Sequence, residues 1–372
     1  MKKLLMVIGT RPELIKMAPI INEFKERGLE KHLLIVNTAQ HKELLDPFWK
    51  MFNITPHFSL DVMRPDQSLG ELTARILIHF QEYLDTIRDQ IFAIMAQGDT
   101  TTVLSTSLIS FYNKIPFYHL EGGLRSFDLQ NPFPEEMNRK VASIAASQHF
   151  VPTINSRNNL LKEGIAGDKI LMSGNTIVDS LEVVKKMINP LDPFEDNNLN
   201  QRMDKSKSLI FITCHRRENQ GQNLSTILQA IIELAEENKH MQFLWILHPN
   251  PNIRNPVLDS KLQSIENIII TEPLGYLDMI RVLAQSVLAI SDSGGIQEEA
   301  PSFNVPVIVL REATERPEGV EIGASKLVGA NPDKMKKAFR EFVDNGIQIA
   351  SNPYGDGMAS SRIVNKILEL AD

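Results

Sequence analysis

Cysteine is almost missing from this chain. Cys214 is the one cysteine in 372 residues, which excludes an intrachain disulfide and any cysteine-built metal cage. No apolar run approaches the roughly 20 residues that a membrane-spanning helix needs. The run 4–8 follows Met1-Lys2-Lys3 as a secretory leader would. It is too short, however, and Gly9-Thr10-Arg11-Pro12-Glu13 interrupts it. Excess positive charge is also lacking. The formal net charge is −7, so general attraction to nucleic acid or to an anionic membrane is not expected. There is no short-period repeat and no low-complexity tract. What remains is 42% hydrophobic and 23% charged, the composition of a globular protein, here expected to be cytoplasmic. A length of 372 residues exceeds one ordinary core and suits two domains.

Short apolar runs alternate with amphipathic helical stretches throughout. Strand-like runs fall at 4–8, 33–37, 91–96, 115–119, 148–151 and 170–172. A second series falls at 209–213, 242–247, 267–270, 286–290 and 305–310. Near-continuous apolar strands interleaved with helices predict parallel sheets covered on both faces. The segment 189–207, with Pro190, Pro193, Asn197, Asn198 and Asn200, reads as a connection without a core of its own. The expected fold is α/β: two doubly wound Rossmann-like domains facing across a cleft. The expected boundaries are 1–175 for the first domain and 176–357 for a nucleotide-binding second domain. The helical segment 358–372 is expected to pack back on the first. In such sheets ligands bind beyond the carboxyl ends of the strands, and the polar clusters follow strand-like runs.

The central stretch is 286–300. A buried-strand pattern runs into Ser291-Asp292-Ser293-Gly294-Gly295 and then Ile296-Gln297-Glu298-Glu299. A glycine pair lets backbone approach a ligand closely, and a helix N-terminus favours anions. The pattern predicts a short helix from Ile296 that Pro301 stops, with Glu298 and Glu299 in its first turn. A carboxylate there either stabilises the helix end or accepts bonds from a ribose diol. After the first strand, Arg11 offers a planar fork for phosphate and Lys16 a point charge; the plainer alternative is a capped helix with surface charges. Asp99, in Gln97-Gly98-Asp99-Thr100, stands where a helix cap would. Glu121 precedes two glycines, and Glu135-Glu136 precede Arg139. Like charges gathered in a partly buried site raise one another's pKa values, which makes carboxyls proton carriers near neutral pH. Alternatively, one of Glu135 and Glu136 pairs with Arg139. His215-Arg216-Arg217 form a cationic turn suited to a diphosphate or a departing anion. His248 ends another strand, and Arg316 is a further phosphate candidate. Cys214 reads as packing rather than as a nucleophile.

In order, the motifs are GTRPELIKMAP, TAQH, QGDTTT, HLEGGLRS, NPFPEEMNR, GNTIVDSL, HRREN, HPNPN, SDSGGIQEEAP, REATERPE and NPYGDGMAS. From Gly9 to Ser360 this closely resembles the bacterial non-hydrolysing UDP-N-acetylglucosamine 2-epimerases. The resemblance implies a glycosyltransferase-B-like fold and interconversion of UDP-GlcNAc and UDP-ManNAc without cofactor or metal, in the service of polysaccharide biosynthesis. It also implies a homodimer. The family route eliminates UDP to give 2-acetamidoglucal and re-adds it after protonation of the opposite face. By resemblance, Asp99, Glu121, Glu135 and His215 are the catalytic candidates. Arg11, Lys16, Ser293, Gly294, Gly295, Glu299 and Arg316 are the UDP-sugar-binding candidates.

The chain departs from the family pattern in places. Leu120-Glu121-Gly122-Gly123 replaces the usual Val-Glu-Ala-Gly and keeps the glutamate. Gln40, Glu43, Arg216 and His248 match parts of a site where bacterial members bind a second UDP-GlcNAc as activator. Glu43 and Asp66 place negative charge where some members have glutamine and arginine, so weak or altered activation is expected. The alternatives are an epimerase for a modified UDP-2-acetamido sugar, a hydrolysing relative releasing ManNAc and UDP, or a non-catalytic UDP-sugar sensor. The Arg11-Pro12-Glu13 form of the first motif argues against hydrolysis.

Overall fold

The computed structural model describes residues 2–38, 42–64 and 66–371, with only the backbone of 42–44. The chain divides into two compact units, Met1–Ser180 with Tyr354–Asp372, and Leu181–Pro353. The first carries β1 (Lys3–Ile8), β2 (Leu33–Asn37), β3 (Phe58–Ser59), β4 (Ile91–Gln97), β5 (Phe117–Leu120), β6 (Gln148–Val151) and β7 (Ile170–Met172). Its sheet order is β3-β2-β1-β4-β5-β6-β7, with every neighbouring pair parallel. Residues Leu4 to Ile8 are fully buried, as a central strand covered by helices on both faces must be.

The second unit carries β8 (Ser208–Thr213), β9 (Met241–Ile246), β10 (Ile268–Thr271), β11 (Ser286–Ser291), β12 (Val307–Val309) and β13 (Ser325–Leu327). Its order is β10-β9-β8-β11-β12-β13, again parallel. Side chains alternate between its two faces, as the strand period of two requires. Ile210, Ile212, Phe243, Trp245, Leu288 and Ile290 fill one core. Leu209, Phe211, Leu244, Ile246 and Ala289 fill the other. Chain order reverses between β1 and β4 in one sheet and between β8 and β11 in the other. The turns after those strands occupy the crevice where doubly wound sheets take ligands. The doubly wound α/β class read from the sequence is therefore the class observed.

The structure departs from the sequence expectations at several elements. Strands β3 and β13 carry no apolar run: Phe58 and Ser59 are exposed, and β13 reads Ser-Lys-Leu. Edge positions supply their pairing instead of composition. The segment 189–207 contributes to a core after all, because Phe194 and Leu199 are buried in the second unit. Asp196 makes this possible by accepting from Asn198 N at 2.8 Å and Leu199 N at 3.3 Å, which starts the helix Asn197–Arg202. The final helix runs Ala359–Ala371. Its N-terminus is held by Asp179, which accepts from Ser360 N at 2.7 Å and Ser360 Oγ at 2.6 Å.

Candidate active site

In the first unit most of the candidate side chains follow the carboxyl ends of β1, β4 and β5. Gly9 follows β1, and a Cβ there would collide with the Thr38 and Thr102 hydroxyls. Arg11 and Pro12 open the helix Arg11–Glu26, where proline's missing N–H costs nothing. Arg11 is exposed, its guanidinium 5.8 Å from the Phe48 ring centre. Glu13 turns back inward. It accepts from Gly9 N at 2.5 Å, Thr10 N at 3.1 Å and Thr100 Oγ1 at 2.5 Å. Burial pushes its carboxyl up to about 7, although those bonds act to lower it. Lys16, one turn on, is buried and pairs with Glu121.

Glu121 has a left-handed backbone at φ 65°, an uncommon conformation for a residue with a side chain. Its carboxylate accepts from Lys16 and from Gln97, and more loosely from Asn175 Nδ2 at 3.4 Å. It lies beside the Gly98 turn, since a Cβ on Gly98 would stand 3.7 Å from Glu121 Oε2. Gly123 has φ 87°, and a Cβ there would collide with the Ser156 carbonyl. His119 and His149 lie behind this turn, their ring centres 6.2 Å apart. Burial drives the His119 pKa down to about 4 and the His149 pKa to about 3, so both are neutral packing groups at ordinary pH.

Asp99 is not the helix cap. Thr100 occupies that position before the helix Thr101–Tyr112. The Asp99 carboxylate turns instead to Arg139, with Nε at 2.9 Å and Nη2 at 2.7 Å, while its backbone carbonyl accepts from Asn138 Nδ2 at 2.8 Å. Arg139 also holds Glu136 at 3.0 Å. Glu136 in turn accepts from Ser126 N and Phe127 N, each at 3.1 Å. Glu136 is thus the member of the pair that braces the loop, and Glu135 stands partly exposed at the first position of the helix Glu135–Ala145. The expected clustering of like charges is modified. Asp99 and Glu121 each meet a cation first, Arg139 and Lys16 respectively.

In the second unit the helix after β11 runs Gly294–Glu299, with Ser293 in the cap position. It starts two residues earlier than Ile296. Glu298 and Glu299 therefore lie in its last turn rather than its first, and Pro301 belongs to a following 3-10 turn, Ala300–Phe303. The reason is on the opposite side of the glycines. A Cβ on Gly294 would stand 2.6 Å from Arg316 Nη1. Bare backbone here makes room for that guanidinium. Arg316 Nε donates to Glu298 at 2.6 Å, and Nη1 pairs with Glu315 at 2.8 Å. Arg311 completes the row by bonding Glu315 at 2.7 Å and Glu218 at 3.0 Å. Glu299 is buried.

His215 and Arg216 follow β8. Asp292, directly after β11, is fully buried and gathers that turn. It accepts from His215 N at 2.9 Å, Arg216 N at 2.9 Å, Asn219 Nδ2 at 2.9 Å and Cys214 Sγ at 3.2 Å. Burial works to raise its pKa. The bonds from His215, Arg216 and Asn219 outweigh that and hold the carboxyl well below the usual range. Cys214 is buried, and burial pushes its thiol well up, consistent with packing. His248 stacks on His215, ring centres 5.5 Å apart. Burial lowers its pKa, and His215 adds to the effect. Gln40 lies outside the described residues, and Glu43 is described in backbone only.

Glu13, Arg139 and Asp292 fall within the sequence motifs, but the motifs alone give none of them a place in the site. The available signal was a charged residue beside glycine or threonine at a strand end. Only the sheet order shows which strand ends adjoin. Among the described residues no group of three or more His, Cys, Asp or Glu is arranged to hold a metal ion. None of the described helices is long and apolar enough to cross a membrane.

Two doubly wound parallel sheets with charged turns at both switch points define a two-unit α/β protein of the glycosyltransferase-B type. Residues 23–368 match the family model described as UDP-N-acetylglucosamine 2-epimerase. The chain belongs to that family. It is 41% identical to the UDP-N-acetylglucosamine 2-epimerase of Neisseria meningitidis, with 99% of each chain covered. It is 42% identical to that of Yersinia pestis over 98% of each. Its structure resembles the Neisseria meningitidis enzyme bound to UDP-GlcNAc, with a TM-score of 0.88 at 39% identity over 99% of this chain and 100% of that one. It also resembles the Methanocaldococcus jannaschii enzyme in complex with UDP-GlcNAc and UDP. There the TM-score is 0.82 at 35% identity, and 99% of each chain is covered.

Proposed function

We propose that this protein inverts carbon 2 of UDP-GlcNAc, giving UDP-ManNAc and running in both directions. Full-length kinship with the 2-epimerases carries the reading, and the side-chain arrangement supports a division of labour. In the first unit Asp99, Glu121 and Glu135 handle protons, with Arg11 and Lys16 supplying positive charge. In the second, Ser293, Gly294, Gly295 and Arg316 hold the diphosphate, Glu299 takes the ribose hydroxyls, and His215 serves the departing group. The C1–O bond breaks with its electron pair going to UDP. A base removes the C2 proton, and the C1=C2 bond of 2-acetamidoglucal forms. Return of UDP to C1 with a proton delivered to the other face of C2 completes the inversion. General acid–base help contributes roughly 10²–10⁴-fold, and stabilising the leaving charge contributes a comparable factor. Homodimerisation, a cytoplasmic location and weak or altered activation by UDP-GlcNAc through Gln40, Glu43, Arg216 and His248 are parts of the same proposal.

The test is an NMR time course with UDP-GlcNAc in D₂O. Deuterium should enter carbon 2 as the manno isomer accumulates. Free UDP with a reducing sugar would favour the hydrolysing alternative, and no exchange would favour a sensor. Asp99→Asn, Glu121→Gln and Glu135→Gln should each suppress turnover and leave UDP affinity nearly intact. Turnover at the parental rate in all three would overturn the proton-handling assignment.

A further inference from the structure

We infer that Asp292 is a positioning residue that fixes the tautomer and orientation of His215, so that Nε2 is the working nitrogen. The inference rests on the reading that His215 serves the reaction. Asp292 and His215 come from the two adjacent strands at which the second sheet reverses, β11 and β8. The carboxylate divides its work between its oxygens. Oδ2 accepts from the backbone N–H groups of His215 and Arg216, from Asn219 Nδ2 and from Cys214 Sγ. Oδ1 shares the His215 N–H at 3.1 Å and stands 3.0 Å from His215 Nδ1. Asn219 Nδ2 also donates to the Leu310 carbonyl at 3.0 Å, which ties the assembly to the chain leaving β12. An ionised carboxylate only accepts, so the facing ring nitrogen must carry the proton. The His248 ring, tilted 25° and 5.5 Å away, restrains the imidazole plane. Nε2 has no hydrogen-bond partner among the described residues, and the side chain is 32% exposed. The Nε2 lone pair is therefore open to a proton shared with a phosphate oxygen of UDP.

Asp292→Asn separates this role from simple bracing of the turn. The asparagine carbonyl can replace Oδ2 and keep the turn bonded, giving up only the longer of the two bonds from His215 N. Its NH₂ then faces His215 Nδ1, which must accept, and the proton moves to Nε2. In the unmodified protein, ¹⁵N imidazole shifts of the neutral ring should show hydrogen on Nδ1. A proton on Nε2 there would overturn the inference without any variant being made. In Asp292→Asn the tautomer should switch and kcat should fall about 100-fold or more, with UDP affinity changed less than about threefold. The double variant Asp292→Asn/His215→Gln should be no slower than His215→Gln alone. Losses that multiply would mean that Asp292 acts independently of His215 and would sink the inference. A parent protein with the expected tautomer but no epimerisation would overturn the functional reading instead, and with it the part Asp292 plays in the reaction.

Discussion

Replacing Glu13 with glutamine should remove a pH-dependent weakness from the first unit. Glu13 is 1% exposed, and burial carries its carboxyl from 4.5 to about 7. A carboxyl whose folded pKa lies above its unfolded value binds the proton more tightly when folded. Its contribution is complete below 4.5 and is lost as pH rises through about 7. At 1.36 kcal/mol per unit, a rise of about 2.5 units amounts to about 3 kcal/mol. Glutamine fits the same bonds. Its carbonyl takes the place of Oε2 and accepts from Gly9 and Thr10, while its amide donates to a rotated Thr100 hydroxyl. The stability of Glu13→Gln relative to the parent should therefore climb by about 3 kcal/mol between about pH 4.5 and above pH 7. Unfolding in urea, followed through the buried Trp49 of the first unit in a Trp245→Phe background, reads this difference. Parallel pH profiles for parent and variant would refute the reasoning, because they would mean that the buried carboxyl carries no shifted proton.

Further outcomes follow from the packed charges. Gly294→Ala places a methyl group against the Arg316 guanidinium, and such overpacking costs about 1–3 kcal/mol. Calorimetry should show much weaker UDP binding with the first unit's stability unchanged. Lys16→Met leaves Glu121 buried without its cation, a loss of about 3–5 kcal/mol where a buried pair is broken. A fall in thermal midpoint together with lost deuterium exchange is expected, and an unchanged midpoint would count against the pairing. Arg139→Met should loosen the loop at Ser126 and Phe127 that Glu136 holds, visible as faster proteolysis there. Glu299→Ala should weaken UDP binding while changing turnover at saturation little.

Most of the fold could be read from the sequence, because parallel strands buried on both faces are continuous apolar runs. β1, β2 and β4 show that pattern, and so do β8, β9 and β11. β3 and β13 did not, since edge strands owe their place to a neighbour's unpaired backbone rather than to their own side chains. Helix starts were misread where a single residue decided them. Thr100 rather than Asp99 caps one helix, and Gly294 rather than Ile296 begins another. The candidate residues were recognisable one motif at a time, but their partners were not. Arg139 lies 40 residues from Asp99 in the chain, Lys16 lies 105 from Glu121, and Asp292 lies 77 from His215. Pairings at such separations depend on strand order, which apolar periodicity does not encode.

The two sheets use one device with opposite electrostatic outcomes. Glu13, after β1, reaches Thr100 after β4. Asp292, after β11, reaches the turn after β8. Each is a buried carboxylate spanning the strand pair at which its sheet reverses. Glu13 meets two backbone N–H groups and a hydroxyl, too little to offset burial, and its pKa rises. Asp292 meets an imidazole, two backbone N–H groups, an amide and a thiol, and its pKa falls. Local opening of the first turn releases Glu13 into water, where it ionises freely. Protection of the Gly9 and Thr10 amides should therefore drop as pH rises from about 4.5 to 7, by up to about tenfold per unit. The His215 and Arg216 amides are bonded to a carboxylate already ionised across that range, so their protection should stay level. Hydrogen exchange read residue by residue separates the two cases. Equal pH dependence in both turns would show that donor count does not set these two pKa values.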